Sequence, residues 1–455
     1  MSVDRTLRNA SISGRLRDLH IVGGLLADRG AADAAEVDLE GARLIPGLHD
    51  HHIHLAAAAA AVDSVSLTPD ELAAGGGLGA LLRAARQRQP EGWLRGIGYD
   101  LIQSGWVDRR DLDEVAVGPV RIQDRTGSRW VLDSTGLAEV LGDRADRSPQ
   151  PDGVERDAAG RPTGHLVRLD AWMRDRLPPH QPDWLRLGLR LAAHGVTSVT
   201  DAGHLNDLAA LAMLASAPLP QRIWAMTKGS VSSFAMPEPT GRVVVDAVKI
   251  VLDDDALPRL DLLAQQVEAA HAVDRGVAVH CVTDVQLALA LSAGLGPGDR
   301  VEHANVVPEG YAELIARAGV AVCVQPGLIA TRGDRYLDEV EPDRHHELFR
   351  LRSLAAAGVP LLGGSDAPIG PISPWRGIEA ATTRRTGSGA VLGADEGLGP
   401  VTAAKMYQRS AGRGWPVRVL APGDPADLLV LGDDAPSGPE VVATLIEGVV
   451  AHGSL

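Results

Sequence analysis

Eight short apolar runs, most of them closed by polar residues, recur along this chain, and Ala/Leu-rich stretches at helical spacing lie between the later ones. They read LIPGLHDHHIHL (44–55), VTSVTDAG (196–203), RIWAMTKG (222–229), DAVKIVLDD (246–254), GVAVHCVTD (276–284), RVEHANV (300–306), GVAVCVQPG (319–327) and GVPLLGGSDAP (358–368). LDLLAQQVEAAHAVDR and PEGYAELIARAG are among the helical stretches. A strand that is apolar throughout, without alternation, is buried on both faces, the condition of a parallel sheet covered by helices. Eight strand–helix units in series close a (β/α)8 TIM barrel, so the expected fold class is α/β. The 455 residues suit one large barrel with smaller appendages.

The flanks carry a different pattern. NASISGRL, DLHIVGGLL and AEVDLEGARL near the start, and PADLLVLGDD and VVATLIEGVVAHG near the end, read as hairpin-type strands with Gly turns. Neither end could bury a core alone. Residues 1–45 and 416–455 are therefore expected to pair into a small β-sandwich beside a barrel domain of residues 46–415. Between the first two barrel strands, residues 57–190 include SPQPDGVERDAAGRPTGHL and are too long for a plain loop. They read as an inserted lid or subdomain on the catalytic face.

Charge and cysteine usage narrow the function. The net charge is −15 and no Lys/Arg cluster appears, which excludes a phosphate-binding surface for nucleic acid or an anionic membrane. Cys281 and Cys323 are the only cysteines, too few for a disulfide framework or a Cys-rich zinc module, and they suit a reducing cytosol. The N-terminal MSVDRTLRNASISG has no apolar h-region, and the run Leu55 to Val62 falls far short of the roughly 20 residues that span a bilayer. A cytoplasmic protein acting on a small-molecule substrate is expected, as a homodimer, with neither nucleic acid nor membrane as partner.

TIM-barrel chemistry sits at the carboxy-terminal ends of the strands. There the first run carries His52 and His54, the fourth Lys249, the fifth His280, the sixth His303 and the eighth Asp366. Residues two apart on a strand face the same way, so His52 and His54 share a face with Asp50. Imidazoles plus a carboxylate match the ligand set of a divalent ion such as zinc. Lys249 fits such a centre if it is neutral and reacts with CO₂ to give a bridging carbamate, which would make a two-metal site. It could instead be salt-bridged or contact substrate. His49 and His51 alternate with the ligand histidines and are expected to point toward the helices or the rim. Cys281 and Cys323 read as small core residues, and the Gly-rich GGLGA and GIG lack dinucleotide-binding spacing.

These motifs, in this order, resemble the amidohydrolase superfamily. Its first-strand signature P-G-x-x-D-x-H-x-H stands as Pro46, Gly47, Asp50, His52 and His54, and VKIVLDD, AVHCVTD, RVEHA and GGSDAP follow in place. GWLRGIGYD, GRPTGHL, GVTSVTDAG and the LAPGDPADLLVL…IEGVVAHG tail look like the YtcJ-like, or amidohydrolase-3, branch, which includes deformylases of N-substituted formamides. Two departures stand out: His51 fills a slot that is usually small, and SRWVLDSTGL places Ser128 and Asp133 where the branch often has histidine and asparagine on the substrate side. The resemblance implies a metal site of His52, His54, Lys249, His280, His303 and Asp366, with Ser128 and Asp133 binding substrate. It implies hydrolysis of a non-peptide C–N bond (amide, formamide or cyclic amide) by metal-activated water, with Asp366 shuttling the proton and one or two divalent ions, zinc foremost. The alternatives are a mononuclear deaminase, for which Asp284 lies one residue beyond the usual H-x-x-E, an esterase or lactonase on the same ions, and a non-catalytic binding protein.

Overall fold

The computed structural model describes residues 3–115, 117–142, 150–178, 182–229, 242–435 and 438–455. Eight strands pair in parallel in chain order: Leu48–Ile53, Val196–Asp201, Arg222–Lys228, Val243–Val251, Val277–Cys281, Arg300–His303, Ala321–Val324 and Leu361–Gly363. Each lies within, or overlaps, one of the eight apolar runs. Two backbone hydrogen bonds join the last strand's end to the first strand: Asp366 N donates to His52 O at 2.7 Å, and His54 N to Ala367 O at 3.0 Å. This is the α/β barrel that the periodicity predicts.

The helices cover the barrel with spaced apolar stripes. Leu260–His271 buries Leu263, Val267 and Ala270, at i, i+4 and i+7, in the main core. Each large aliphatic side chain so buried contributes about 1.5–3 kcal/mol relative to exposure. Asp284–Ser292 starts at a capping box of Thr283 and Gln286, and Tyr311–Ala318 stops at Gly319, whose φ of 70° turns the chain into the seventh strand. Ala202, Met226, Ala247 and Ala278 form a small cluster of their own. Ala247 and Ala278 lie two residues before Lys249 and His280, so the polar pair shares their face, one step nearer the strand ends.

The terminal segments meet in one sheet, ordered Val449–Gly453, Gly438–Ile446, Leu428–Ala435, Arg43–Pro46, Arg5–Ile12, Arg15–Val22 and Leu25–Ala27, with Ala35–Asp38 also paired to Arg5–Ile12. The two layers expected of a sandwich are thus hydrogen-bonded continuously, through Arg5–Ile12 and its register shift between Leu7 and Ala10. Leu7, Ile21, Leu44, Leu428, Val430 and Leu445 belong to its core.

Residues 59–183 form a separate compact unit. A six-stranded sheet runs through it, and the GRPTGHL segment forms the strand Pro162–Val167 that pairs antiparallel with Val154–Arg156 and Arg129–Leu132. Its cores gather around Leu82, Leu94 and Ile122, and around Trp130, Leu132 and Leu166. Among the described residues no helix is long and apolar enough to cross a membrane.

Candidate metal centre

The first barrel strand is gripped at both ends of its histidine run. Gly47 faces the Thr197 side chain so closely that a Cβ would collide with it. Asp50 Oδ1 accepts hydrogen bonds from His52 N at 3.1 Å and Ser365 N at 2.9 Å, which ties the first strand to the end of the eighth. Burial raises the Asp50 pKa to about 7, and the Asp366 charge adds to the rise. Asp50 therefore acts on the backbone beside the histidines, although strand alternation had grouped it with them. The glycines before Asp366 serve the same packing: a Cβ on Gly364 would sit 2.6 Å from His52 Cβ, and one on Gly363 would meet the Tyr407 ring.

Three donor atoms converge above this clasp. His54 Nε2 lies 3.2 Å from Asp366 Oδ1 and His52 Nε2 lies 3.5 Å from it, and the three residues' ligand atoms all fall within 4.8 Å of one another. Burial opposes ionisation of Asp366, yet the His54 hydrogen bond and the surrounding imidazoles hold its pKa well below the ordinary range. Burial also lowers His54, but its bond to Asp366 outweighs that and the net shift is upward. Asp366 and His303 adopt left-handed backbone, φ 54° and 74°, a conformation rare for residues with a Cβ and frequent at functional sites.

The other expected ligands continue the cluster. The His303 ring centroid lies 4.8 Å from that of His52 and 4.5 Å from that of His280. Burial, then the Lys249 charge, lowers His280 to about 4, so it is a neutral acceptor at pH 7. Lys249 is 5 % exposed, burial lowers its pKa, and its Nζ has no hydrogen-bond partner. His52 Nε2 is likewise buried without a hydrogen bond. Each such orphan costs about 1–3 kcal/mol. A divalent cation would satisfy the nitrogen and oxygen donors, and a carbamate would give Lys249 a role beside it. The donor set fits a metal.

Two residues passed over in the sequence set the histidines' orientation. His52 Nδ1 donates to Glu302 Oε2, and Arg300 Nε lies 2.6 Å from Glu302 Oε1. His303 Nδ1 donates to Gln325 Oε1 at 2.9 Å, and Gln325 Nε2 donates to Cys323 O at 3.2 Å. With Nδ1 engaged, each ring presents Nε2 to the centre. The available signal was a glutamate inside the buried run RVEHA, because a fully buried carboxylate must be paired. Glu302→Gln is expected to weaken zinc binding about 10- to 100-fold in competition with a chromogenic chelator. Unchanged affinity would show that the pair does not orient His52.

The remaining expectations divide. His49 and His51 do not reach the rim: they are 1 % and 0 % exposed. The first strand pairs Asp50 with Val199 but Ile53 with Asp201, and this extra residue breaks the alternation that would have turned them outward. His49 bonds the Ser198 and Thr200 hydroxyls at 2.7 and 2.8 Å, and the His51 ring lies 4.3 Å from it. Burial keeps both rings neutral. Asp133 Oδ1 caps a helix, accepting from Gly136 N at 2.8 Å at the start of Ser134–Leu141, and from Val120 N at 3.1 Å. Ser128 lies in an exposed turn, with its hydroxyl 2.7 Å from that of Thr126. Both belong to the 59–183 unit. Asp284, one residue beyond the deaminase pattern, pairs with Arg344 at 2.8 Å and opens the helix Asp284–Ser292.

Known proteins match this chain along most of its length. Residues 35–453 match the model of the amidohydrolase family, amidohydrolase-3 type. The N-substituted formamide deformylase of Arthrobacter pascens is 27 % identical, with 95 % of this chain and 93 % of that protein covered. The YtcJ amidohydrolase of Bacillus subtilis (strain 168) is 25 % identical, with 93 % and 91 % covered. Among solved structures, a metal-dependent hydrolase from Pyrococcus horikoshii OT3 superimposes with a TM-score of 0.73 at 21 % identity, over 99 % of this chain and 100 % of that one.

Proposed function

The chain belongs to the amidohydrolase family, and from that membership we propose that it is a metal-dependent hydrolase of a non-peptide C–N bond in an amide, formamide or cyclic amide. The observation that carries this reading is the convergence of His52 Nε2, His54 Nε2 and Asp366 Oδ1 within 4.8 Å of one another. His52, His54 and Asp366 would hold one zinc-like ion, and Lys249, as its carbamate, with His280 and His303 would complete that site or a second. When bound, such an ion supplies a water of pKa near ~7 and a Lewis acid for the carbonyl oxygen.

The chain's own residues supply the proton path. Asp366 takes the proton of the attacking water at a carboxylate oxygen and returns it to the leaving nitrogen. His54 holds the Asp366 carboxylate in place at 3.2 Å, and Glu302 and Gln325 fix the rings of His52 and His303. The relative from Arthrobacter pascens is named for N-substituted formamides, so that class heads the substrates to try. Two free, buried cysteines suit work in the reducing cytoplasm.

A panel of N-formyl, N-acetyl and cyclic amides, with matched esters, tests the reaction class on zinc-supplied protein. Amine release from at least one amide class, faster than alcohol release from its ester, is expected. Hydrolysis confined to esters would overturn the C–N assignment. For Lys249, metal content near two ions per chain is expected, together with density for a carbamate in an experimental map. A bare amine beside a single ion on His52, His54 and Asp366 would refute the carbamate.

A further inference from the structure

The VTDAG stretch that ends the second barrel strand supplies none of the expected ligands, yet its aspartate is buried against one of them. Asp201 is 5 % exposed, and its Oδ1 accepts a hydrogen bond from Leu55 N at 2.8 Å. Leu55 directly follows His54 and opens the helix Leu55–Val62, which has no acidic residue in its first turn. Asp201 thus brings from the neighbouring strand a carboxylate that this helix start does not carry itself.

The same carboxylate is held from its other side. Oδ2 accepts from Asn206 Nδ2 at 2.6 Å and from Gly203 N at 3.3 Å. Asn206 Nδ2 also donates to Met226 O at 2.9 Å, and Lys228 N donates to Asn206 O at 3.2 Å, which ties in the third strand. A Cβ on Gly203 would lie 2.6 Å from Asn206 Oδ1, so glycine leaves room for the amide. Backbone bonds fix the rest of the path through His54: Ala202 N to Ile53 O at 2.8 Å, His54 N to Ala367 O at 3.0 Å and Ala58 N to His54 O at 2.8 Å. His54 needs this support more than the other ligands do. Its side chain is 33 % exposed against 1 % for His52. Among the described residues its ring bonds only Asp366 and has no counterpart of Glu302 or Gln325.

We propose that Asp201 is a positioning residue for the metal centre: braced by Asn206, it fixes the peptide after His54 and so aims the His54 ring at the ion. This rests on the reading of His54 as a ligand. A ligand ring without an orienting partner of its own takes its direction from its backbone, and a small displacement there loosens the site. The Asp201 charge reaches the same ring. Burial lowers the His54 pKa, and the bond and charge of Asp366, then the charge of Asp201, raise it. Removing the Asp201 carboxylate leaves the first three barrel strands paired through their backbones, so the loss falls on the start of the helix.

Zinc affinity, by competition with a chromogenic chelator, and the visible spectrum of the cobalt(II)-loaded full chain test it. Asp201→Ala is expected to weaken zinc about tenfold or more and to shift the cobalt bands. Asp201→Asn keeps an acceptor for Leu55 N and should fall between Asp201→Ala and wild type. The decisive arm is a double-mutant cycle with His54→Ala. In that background Asp201→Ala should change zinc affinity by less than about twofold, because the ring it positions is gone. The same loss in both backgrounds would mark a general loosening of the fold and overturn the assignment. Asn206→Ala removes the brace at a half-buried position and carries the same cycle if Asp201→Ala does not fold. Wild-type affinity and unshifted cobalt bands in Asp201→Ala, with His54→Ala weakened, would overturn the clasp alone. Unchanged affinity in His54→Ala would overturn the clasp together with the ligand reading.

Discussion

Asp366→Asn is expected to lower turnover by at least ~10²-fold, the usual size of a general acid–base contribution. Asparagine keeps the shape of the side chain, and the backbone bond from residue 366 N to His52 O at 2.7 Å does not involve it. The left-handed conformation at φ 54° is one that asparagine tolerates at least as well as aspartate. The position should therefore hold while the proton acceptor is lost. Metal content is measured on the same sample, so that a lost ion is not mistaken for a lost shuttle. A variant that keeps its metal and more than about a tenth of wild-type turnover, with chemistry rate-limiting, would refute the shuttle.

The double change His52→Ala with His54→Ala should abolish tight metal binding. It removes two of the three donors that converge within 4.8 Å, and a lone Asp366 carboxylate with His280 and His303 nearby cannot replace their geometry. Glu302 loses its imidazole but keeps Arg300 at 2.6 Å, so the buried carboxylate is not left unpaired. The barrel closure through backbone groups at residues 52, 54, 366 and 367 also survives. The expected result is near-native circular dichroism with zinc below about a tenth of an equivalent per chain by elemental analysis. Retention of a full equivalent would move the centre away from these histidines.

The eight strands were legible because a parallel strand buried on both faces needs an unbroken apolar run, which few other structures produce. The candidate ligands were legible because a barrel collects its chemistry at strand ends, so His52, His54, His280, His303 and Asp366 could be listed from position alone. Strand alternation failed at His49 and His51 for a local reason: one extra residue against Val196–Asp201 turned them inward, and no residue type announces such a slip. Glu302 and Gln325 were hidden because their roles depend on contacts across 250 and 22 residues of sequence. Asp133 shows a structural role that its motif position did not announce: its Oδ1 caps the helix Ser134–Leu141. The sheet in residues 59–183 was obscured by Pro, Asp and Arg in its hairpins, which look like loop until antiparallel partners are found.

The most direct measurement is amide turnover by one preparation before and after removal of its metal. Protein purified with zinc should release amine from its best amide substrate, fall below about a hundredth of that rate after dialysis against a chelator, and recover when zinc, manganese or iron is restored. Amine release that continues unchanged in protein shown by elemental analysis to be free of metal would contradict the assignment of His52, His54 and Asp366 as the centre of a metal-dependent hydrolase.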